Sequence, residues 1–364
     1  MLYFILYALH NKISAFNVFR YITFRAILAI LTALVICFFC GPWVIRKLQQ
    51  LQVKQYIRDD GPSAHLAKEG TPTMGGTLIL SAIFISVFFW ADLTNFYIWV
   101  ILLVAAGFGL IGFADDYRKL TRKNSQGLKM REKMLYQIVV AVVASLLLYY
   151  YPTFKTTVSV PFFKDVAPDL GGFYILLAIF VIVGTSNAVN LTDGLDGLAI
   201  GPVLISAGTF MVLAYLTGHV KIASYLQIPY VSGSGELSIF CGAIVGAAMG
   251  FLWYNTYPAQ IFMGDTGSLA LGGALGIVAV LIHQPLVLVI AGGVFVMEAV
   301  SVILQTGWFR YTRRRYGTGR RIFLMAPIHH HFEKKGWYES QVVMRFYILG
   351  ILCAVMALTT LKIR

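Results

Sequence analysis

The chain is 364 residues long, 58% hydrophobic and only 12% charged, with a mean hydropathy of +0.75. A soluble domain carries about 25% charged residues, so this composition excludes a water-coated globule and points to a single helical bundle in lipid. The net charge of +13 leaves nucleic acid, anionic lipid and phosphorylated substrates as partner classes, which the placement of the basic residues separates.

Residues 1–21 are apolar at their start and carry Lys12 and Arg20 afterwards, the reverse of a cleavable signal, and read as a retained interfacial segment. A membrane-crossing helix needs about 20 mostly apolar residues. Ten segments meet that rule. They are residues 26–45, 74–90, 96–114, 134–151, 173–189, 198–217, 237–254, 269–282, 286–308 and 342–361. The predicted class is all-α: one membrane-embedded domain over 1–364, about ten transmembrane helices, both termini outside. Cys37, Cys40, Cys241 and Cys353 all fall in apolar segments and read as packed or lipid-facing thiols rather than a redox motif.

Orientation follows from the loops. With the N-terminus outside, the inward-facing segments are 46–73, 115–133, 190–197, 255–268 and 309–341. The first of these holds five Lys or Arg, the second seven, and the last nine when Arg345 is counted, together 21 of the 29 in the chain. The positive-inside rule assigns these loops to the cytoplasm, which leaves no basic surface arranged for nucleic acid.

The acids fall on the same face. Asp115 and Asp116 follow the third span, Asp193 and Asp196 the fifth, and Asp265 the seventh. Odd-numbered spans run inward, so all five carboxylates reach one membrane surface. Adjacent carboxylates repel, and those at a helix C-terminus also meet the negative end of its dipole; a cation among them offsets both costs. Hard oxygen ligands of this kind suit Mg²⁺. The plainer alternatives are pairing of Asp115 and Asp116 with Arg118 and Lys119, and Asp265 as an N-cap of the eighth helix. Asn187, Asn190, Asp193 and Asp196 recur every three residues, but Gly194 and Gly197 predict a polar helix end opening into a loop. His329, His330 and His331 lie in the most basic loop; consecutive histidines cannot all address one ion, and contact with a phosphate or sugar is the functional reading. Glu298 lies inside the ninth span, where a buried polar partner is expected, and Gly292-Gly293 favours a kink there.

These motifs together resemble the phospho-N-acetylmuramoyl-pentapeptide transferases of bacterial cell-wall synthesis. The matching stretches are Thr71-Pro-Thr-Met-Gly-Gly76, Gly112-Phe-Ala-Asp-Asp-Tyr-Arg-Lys119, 187–199, Asn255 through Ser268, and Ala326-Pro-Ile-His-His-His331, within a resemblance running from Phe16 to the C-terminus. The run Arg313–Arg315 is more basic than the family's usual pattern.

The resemblance implies ten transmembrane helices, a homodimer in the bacterial inner membrane, a cytoplasmic active site and Mg²⁺ dependence. It implies uridine-diphosphate N-acetylmuramoyl-pentapeptide and undecaprenyl phosphate as substrates, with lipid I and uridine monophosphate as products. By motif position, Asp115, Asp116 and Asp265 match the catalytic aspartates, with Asp265 on the metal. Asn187, Asn190, Asp193, Asp196, Asn255, His329, His330 and His331 match substrate-site positions, and Lys68, Thr73, Lys119, Lys133, Phe262 and Gln305 match residues lining the same pocket. Two other readings share parts of this pattern: a polyprenyl-phosphate N-acetylhexosamine-1-phosphate transferase, and a transporter. The Ala326–His331 motif favours the muramoyl branch over the first. Against the second, transporters keep their ionisable groups near the bilayer midplane, whereas these lie at one surface.

Overall fold

The computed structural model describes residues 1–51, 70–122, 127–163 and 166–362, and the described residues are helical apart from turns, loops and isolated bridges, among them the antiparallel bridge Thr157 to Asp169. In chain order the α-helices are α1 (Leu2–Ala8), α2 (Ile22–Gln50), α3 (Gly76–Trp90), α4 (Phe96–Thr121), α5 (Met130–Tyr149), α6 (Phe173–Thr192) and α7 (Ile200–Thr217). There follow α8 (Val220–Leu226), α9 (Leu237–Asn255), α10 (Gly264–Leu281), α11 (Pro285–Ala291), α12 (Gly293–Tyr316), α13 (Ile328–Lys334) and α14 (Glu339–Thr359).

Eight helices among the described residues are long and apolar enough to cross a bilayer. A ninth span arises if α11 and α12 count as one, but they meet at 86°. The ninth expected segment, 286–308, is thus two helices, broken at Gly292 where the sequence predicts a kink. The remaining expected segment is α3, 15 residues and about 22 Å long, short of a full hydrocarbon core unless flanking residues contribute.

Three helix ends differ from the expected ones in ways that matter for function. Helix α4 continues to Thr121, so Asp115 and Asp116 lie within it and not in a following loop. Helix α10 begins at Gly264, five residues before the expected start, which puts Asp265 in its first turn. Helix α12 runs past Trp308 to Tyr316 and carries exposed Arg310 and Arg313–Arg315 on its last turns, consistent with the good helix propensity of arginine.

Helix α10 is the axis of the bundle. Every residue from Thr266 to Leu281 is buried, mainly against α4 and α6, with α3, α7 and α11 completing the enclosure. Small residues allow this: a Cβ on Gly272 would lie 2.6 Å from the Ser186 Cα of α6, and one on Gly276 2.9 Å from that of Ile182. The same device joins α9 to α2, where Gly242, Gly246 and Gly250 line up against the Ala26, Ile30 and Leu34 carbonyls. In lipid, where apolar burial gives no drive between helices, such close backbone approach is a principal source of packing energy.

On the surface opposite the acidic loops, Arg25 of α2 makes a bidentate pair with Glu236 (2.6 and 2.9 Å) and packs under the Tyr3 ring, tying α1 to the bundle. The cysteines are free, with Cys37 and Cys241 buried.

A methyl on Gly246 would sit 2.0 Å from the Ile30 carbonyl oxygen, whereas nothing lies within 4 Å of one on Gly184. Overpacking of the first kind costs about 1–3 kcal/mol. Gly246→Ala should therefore lower the melting temperature in detergent, and Gly184→Ala should hold or slightly raise it. Equal melting temperatures for the two variants would contradict the close approach of α9 to α2.

Candidate active site

The site forms where the N-terminus of α10 meets the last turns of α4. The approach is close: a Cβ on Gly112 would lie 2.2 Å from the Asp265 carbonyl oxygen, and one on Gly76 2.1 Å from the Gly267 nitrogen. An α-helix begins with four backbone N–H groups lacking intrahelical partners and with a partial positive charge. Asp116, buried on α4, answers both. Its Oδ1 accepts from the Asp265 N–H (3.2 Å), and its Oδ2 from the Thr266 N–H (3.0 Å) and the Thr266 hydroxyl (2.8 Å). The capping role, the plainer alternative for Asp265, is therefore filled by Asp116 from a neighbouring helix, which leaves the Asp265 side chain available.

That side chain turns toward α4, α5 and α6. Asp265 Oδ2 lies 2.8 Å from Lys133 Nζ and 3.1 Å from Lys119 Nζ, and Oδ1 accepts from Asn190 Nδ2 at 2.8 Å. The same Asn190 nitrogen reaches Ser268 Oγ at 2.8 Å. Lys119 Nζ is also 2.6 Å from Asp115 Oδ2 and 3.6 Å from Asp116 Oδ1, while Asp115 Oδ1 accepts the Leu128 N–H at 2.8 Å. Pairing of Asp115 with Lys119 is thus real but is one part of a larger constellation.

One carboxylate oxygen from each of Asp115, Asp116 and Asp265 falls within 4.8 Å of the others, a spacing suited to a metal ion. The Lys119 ammonium stands among these oxygens, so a cation is what the three carboxylates already organise around. The donors are hard oxygens, and the residues fit a divalent metal of the magnesium type.

The turn after α6 carries the next two acids. Asp193 follows directly on Thr192 and is partly buried. Loss of water, then the charges of Asp265, Asp116 and Asp196, push its carboxyl up to about 8. Asp196 is buried; its Oδ2 accepts the Ala259 N–H (2.9 Å), and its own N–H donates to Glu339 (2.8 Å). Asn255 accepts the Gly197 N–H (3.1 Å) and donates to the Ile261 carbonyl (2.8 Å). Asp196 and Asn255 thereby brace the segments bordering the cluster. Thr73 and Phe262 sit at the start of α10, the Phe262 backbone pairing with Pro72 and Gly75 at 2.8 Å each.

Not every expected residue converges on the carboxylates. Asn187 lies one turn deeper than Asn190 and donates to Gln137 Oε1 and the Val183 carbonyl, both at 2.8 Å. Lys68 falls outside the described residues. Gln305 holds the 322–323 backbone through three hydrogen bonds of 2.9–3.1 Å. The histidines occupy α13, where each has a different task. His331 Nδ1 accepts the Leu324 N–H (3.1 Å), His330 Nδ1 lies 2.6 Å from Glu333 Oε2, and His329 is buried with Nδ1 3.1 Å from Glu298 Oε1. Thr266, Ser268 and Gln137 were not singled out by their sequence pattern. The first two lie inside the Gly-Asp-Thr-Gly-Ser run, and Gln137 is one helical turn from Lys133.

Comparison with known proteins shows the family. Residues 98–283 match the family described as Glycosyl transferase family 4, and residues 68–80 match the Phospho-N-acetylmuramoyl-pentapeptide-transferase signature 1. The chain is similar over its full length, and that of each relative, to phospho-N-acetylmuramoyl-pentapeptide-transferases from Syntrophus aciditrophicus (60% identity), Desulfatibacillum aliphaticivorans (60%) and Geobacter sp. strain M21 (56%).

The Asp193 carboxyl, raised in the folded protein to about 8, holds a proton that an unfolded carboxyl, with a pKa near 4, has already lost. Its ionisation therefore costs stability progressively as pH rises through that window. In chelator-treated protein, Asp193→Asn and the parent should melt closer together at about pH 6 and diverge by about pH 8.5, with the variant higher. Thermal melts across that range check this, and a parent that gains on the variant toward alkaline pH would contradict it.

Proposed function

The chain belongs to the phospho-N-acetylmuramoyl-pentapeptide-transferase family, and from that premise we propose how its own residues carry the reaction. It is a multi-pass membrane phosphoglycosyl transferase that moves phospho-N-acetylmuramoyl-pentapeptide from its uridine-diphosphate carrier to undecaprenyl phosphate. The products are lipid I and uridine monophosphate. The observation that carries this reading is the meeting of Asp115, Asp116 and Asp265 with Lys119 and Lys133 at one end of a buried helix.

In the proposed step, an oxygen of the lipid phosphate attacks the sugar-linked phosphorus of the pyrophosphate. A new P–O bond forms there as the P–O bond to uridine monophosphate breaks, and the nucleotide leaves with that electron pair. Reactants and leaving group are all anionic, so positioning and charge neutralisation dominate catalysis. Lys119 and Lys133 supply positive charge at the cluster. Asp265 would hold the divalent metal, which we assign as Mg²⁺ and which would supply charge neutralisation at the pyrophosphate. Asp116 fixes the start of α10 and so the position of Asp265. Asp115, held by the Leu128 N–H, orients or deprotonates the lipid phosphate. A phosphate monoester is already a competent nucleophile near neutral pH, with a second pKa of about 6. An enzyme carboxylate would only add another anion at the pyrophosphate, which favours direct attack.

We further propose that the chain works as one membrane-embedded domain and as a homodimer in the inner membrane. The 115–133 and 309–341 loops then face the cytoplasm, a placement supported by their basic content.

Asp265→Asn should lower turnover by on the order of a hundredfold or more and abolish the rise in melting temperature that Mg²⁺ gives the parent. Near-normal turnover at ordinary magnesium would remove Asp265 from the metal. Direct attack is checked by incubating enzyme with nucleotide substrate and Mg²⁺ but no lipid acceptor. Little uridine monophosphate should appear; stoichiometric release with sugar-phosphate bound to an aspartate would overturn direct attack.

A further inference from the structure

Glu298 has no part in the chemistry above, yet it is a fully buried carboxylate in the second turn of α12. A buried carboxylate is costly unless it is paired and hydrogen-bonded. Its two oxygens do different things. Oε2 accepts the Ile328 N–H at 3.0 Å, the first backbone donor of α13. Oε1 stands 3.1 Å from Nδ1 of His329, which is itself fully buried. The other face of the imidazole meets the substrate turn: a Cβ on Gly194 would lie 2.3 Å from His329 Nε2. Gly194 directly follows Asp193 and is two residues from Asp196. An unbroken line of contact thus runs from the carboxylate in α12, through one imidazole, to the turn bearing two of the site's acids.

We propose that Glu298 is a positioning residue for nucleotide-substrate binding. It holds His329 in one orientation and tautomer against Gly194, and so sets the turn that carries Asp193 and Asp196. The inference rests on the transferase reading above. Glu298 Oε1 and His329 Nδ1 are buried 3.1 Å apart without hydrogen-bond alignment, and a carboxylate oxygen at that distance favours the imidazole proton on Nδ1, leaving Nε2 as the acceptor beneath the turn. A carboxylate merely filling a polar gap in the bundle would stabilise the protein without favouring one substrate. One serving the lipid acceptor from within the membrane would act on the other substrate.

Glu298→Gln separates these roles. The Ile328 N–H can only donate, so the carboxamide oxygen must stay on it, and the NH₂ group then faces His329 Nδ1. The cap on α13 survives, while the histidine must become an acceptor at Nδ1 and carry its proton on Nε2. The variant should melt close to the parent and raise the KM for the nucleotide substrate about tenfold, with the KM for polyprenyl phosphate changed less than about twofold. Glu298→Ala should raise the nucleotide KM at least as much and also lower the melting temperature. Nitrogen-15 NMR of histidine-labelled protein, with His329 assigned by His329→Gln, should show the parent protonated on Nδ1 and Glu298→Gln protonated on Nε2. An unchanged nucleotide KM in Glu298→Gln, a larger change in the polyprenyl-phosphate KM, or a parent His329 protonated on Nε2 would each overturn the proposal. The NMR arm requires no turnover, so failure of the transferase reading, seen as an inactive parent, is distinguishable from failure of this one.

Discussion

The arrangement depends on one electrostatic bargain: the start of a helix buried at the centre of a membrane protein is satisfied by a carboxylate from another helix. Without Asp116, the Asp265 and Thr266 N–H groups of α10 would lack their acceptors in a place where water is scarce. With it, α4 and α10 are joined by three hydrogen bonds, and the negative charge lies where the helix dipole favours it. Gly76 and Gly112 make the meeting sterically possible. Once those helices are fixed, Asp265 has one direction in which to point, and α5 and α6 bring Lys133 and Asn190 to it.

The cluster itself follows from charge balance. Three carboxylates face two ammonium groups, with Lys119 touching the most acids. An exposed lysine–aspartate pair contributes little, but these are shielded by the surrounding helices, and removing one partner leaves the others uncompensated. The same excess of negative charge suits the site to a divalent cation and adds to the rise that loss of water gives the Asp193 carboxyl.

Much of this was legible in the sequence because hydropathy fixes where helices cross lipid, and crossing parity then fixes which loops share a face. That logic brings Asp115, Asp116, Asp193, Asp196 and Asp265 to one surface from the sequence alone. The helix ends were less legible. Hydropathy falls where polar residues begin, but α4 and α10 continue through Asp115–Asp116 and Asp265 because tertiary hydrogen bonds satisfy them there. Asn187 shares the three-residue spacing of Asn190, yet pairs with Gln137 one turn deeper, a distinction set by helix packing rather than by spacing. Gly292-Gly293 marked a kink, but its 86° angle depends on how α11 and α12 pack against α14 and α6. The partner of Glu298 lies 31 residues away at His329, beyond the reach of any local pattern.

The complete enclosure of α10 also bears on how the protein tolerates different bilayers. Outer helices such as α2, α5 and α14 present large exposed apolar side chains, among them Phe39, Leu135 and Met344, and meet the acyl chains directly. Hydrophobic mismatch is relieved by tilting lipid-facing helices or by deforming the membrane around them. A helix buried from Thr266 to Leu281 meets no lipid with that stretch and feels mismatch only through its neighbours. Asp265, anchored at its end, is referenced to the protein interior, so the depth of the acidic cluster is buffered against changes in membrane thickness.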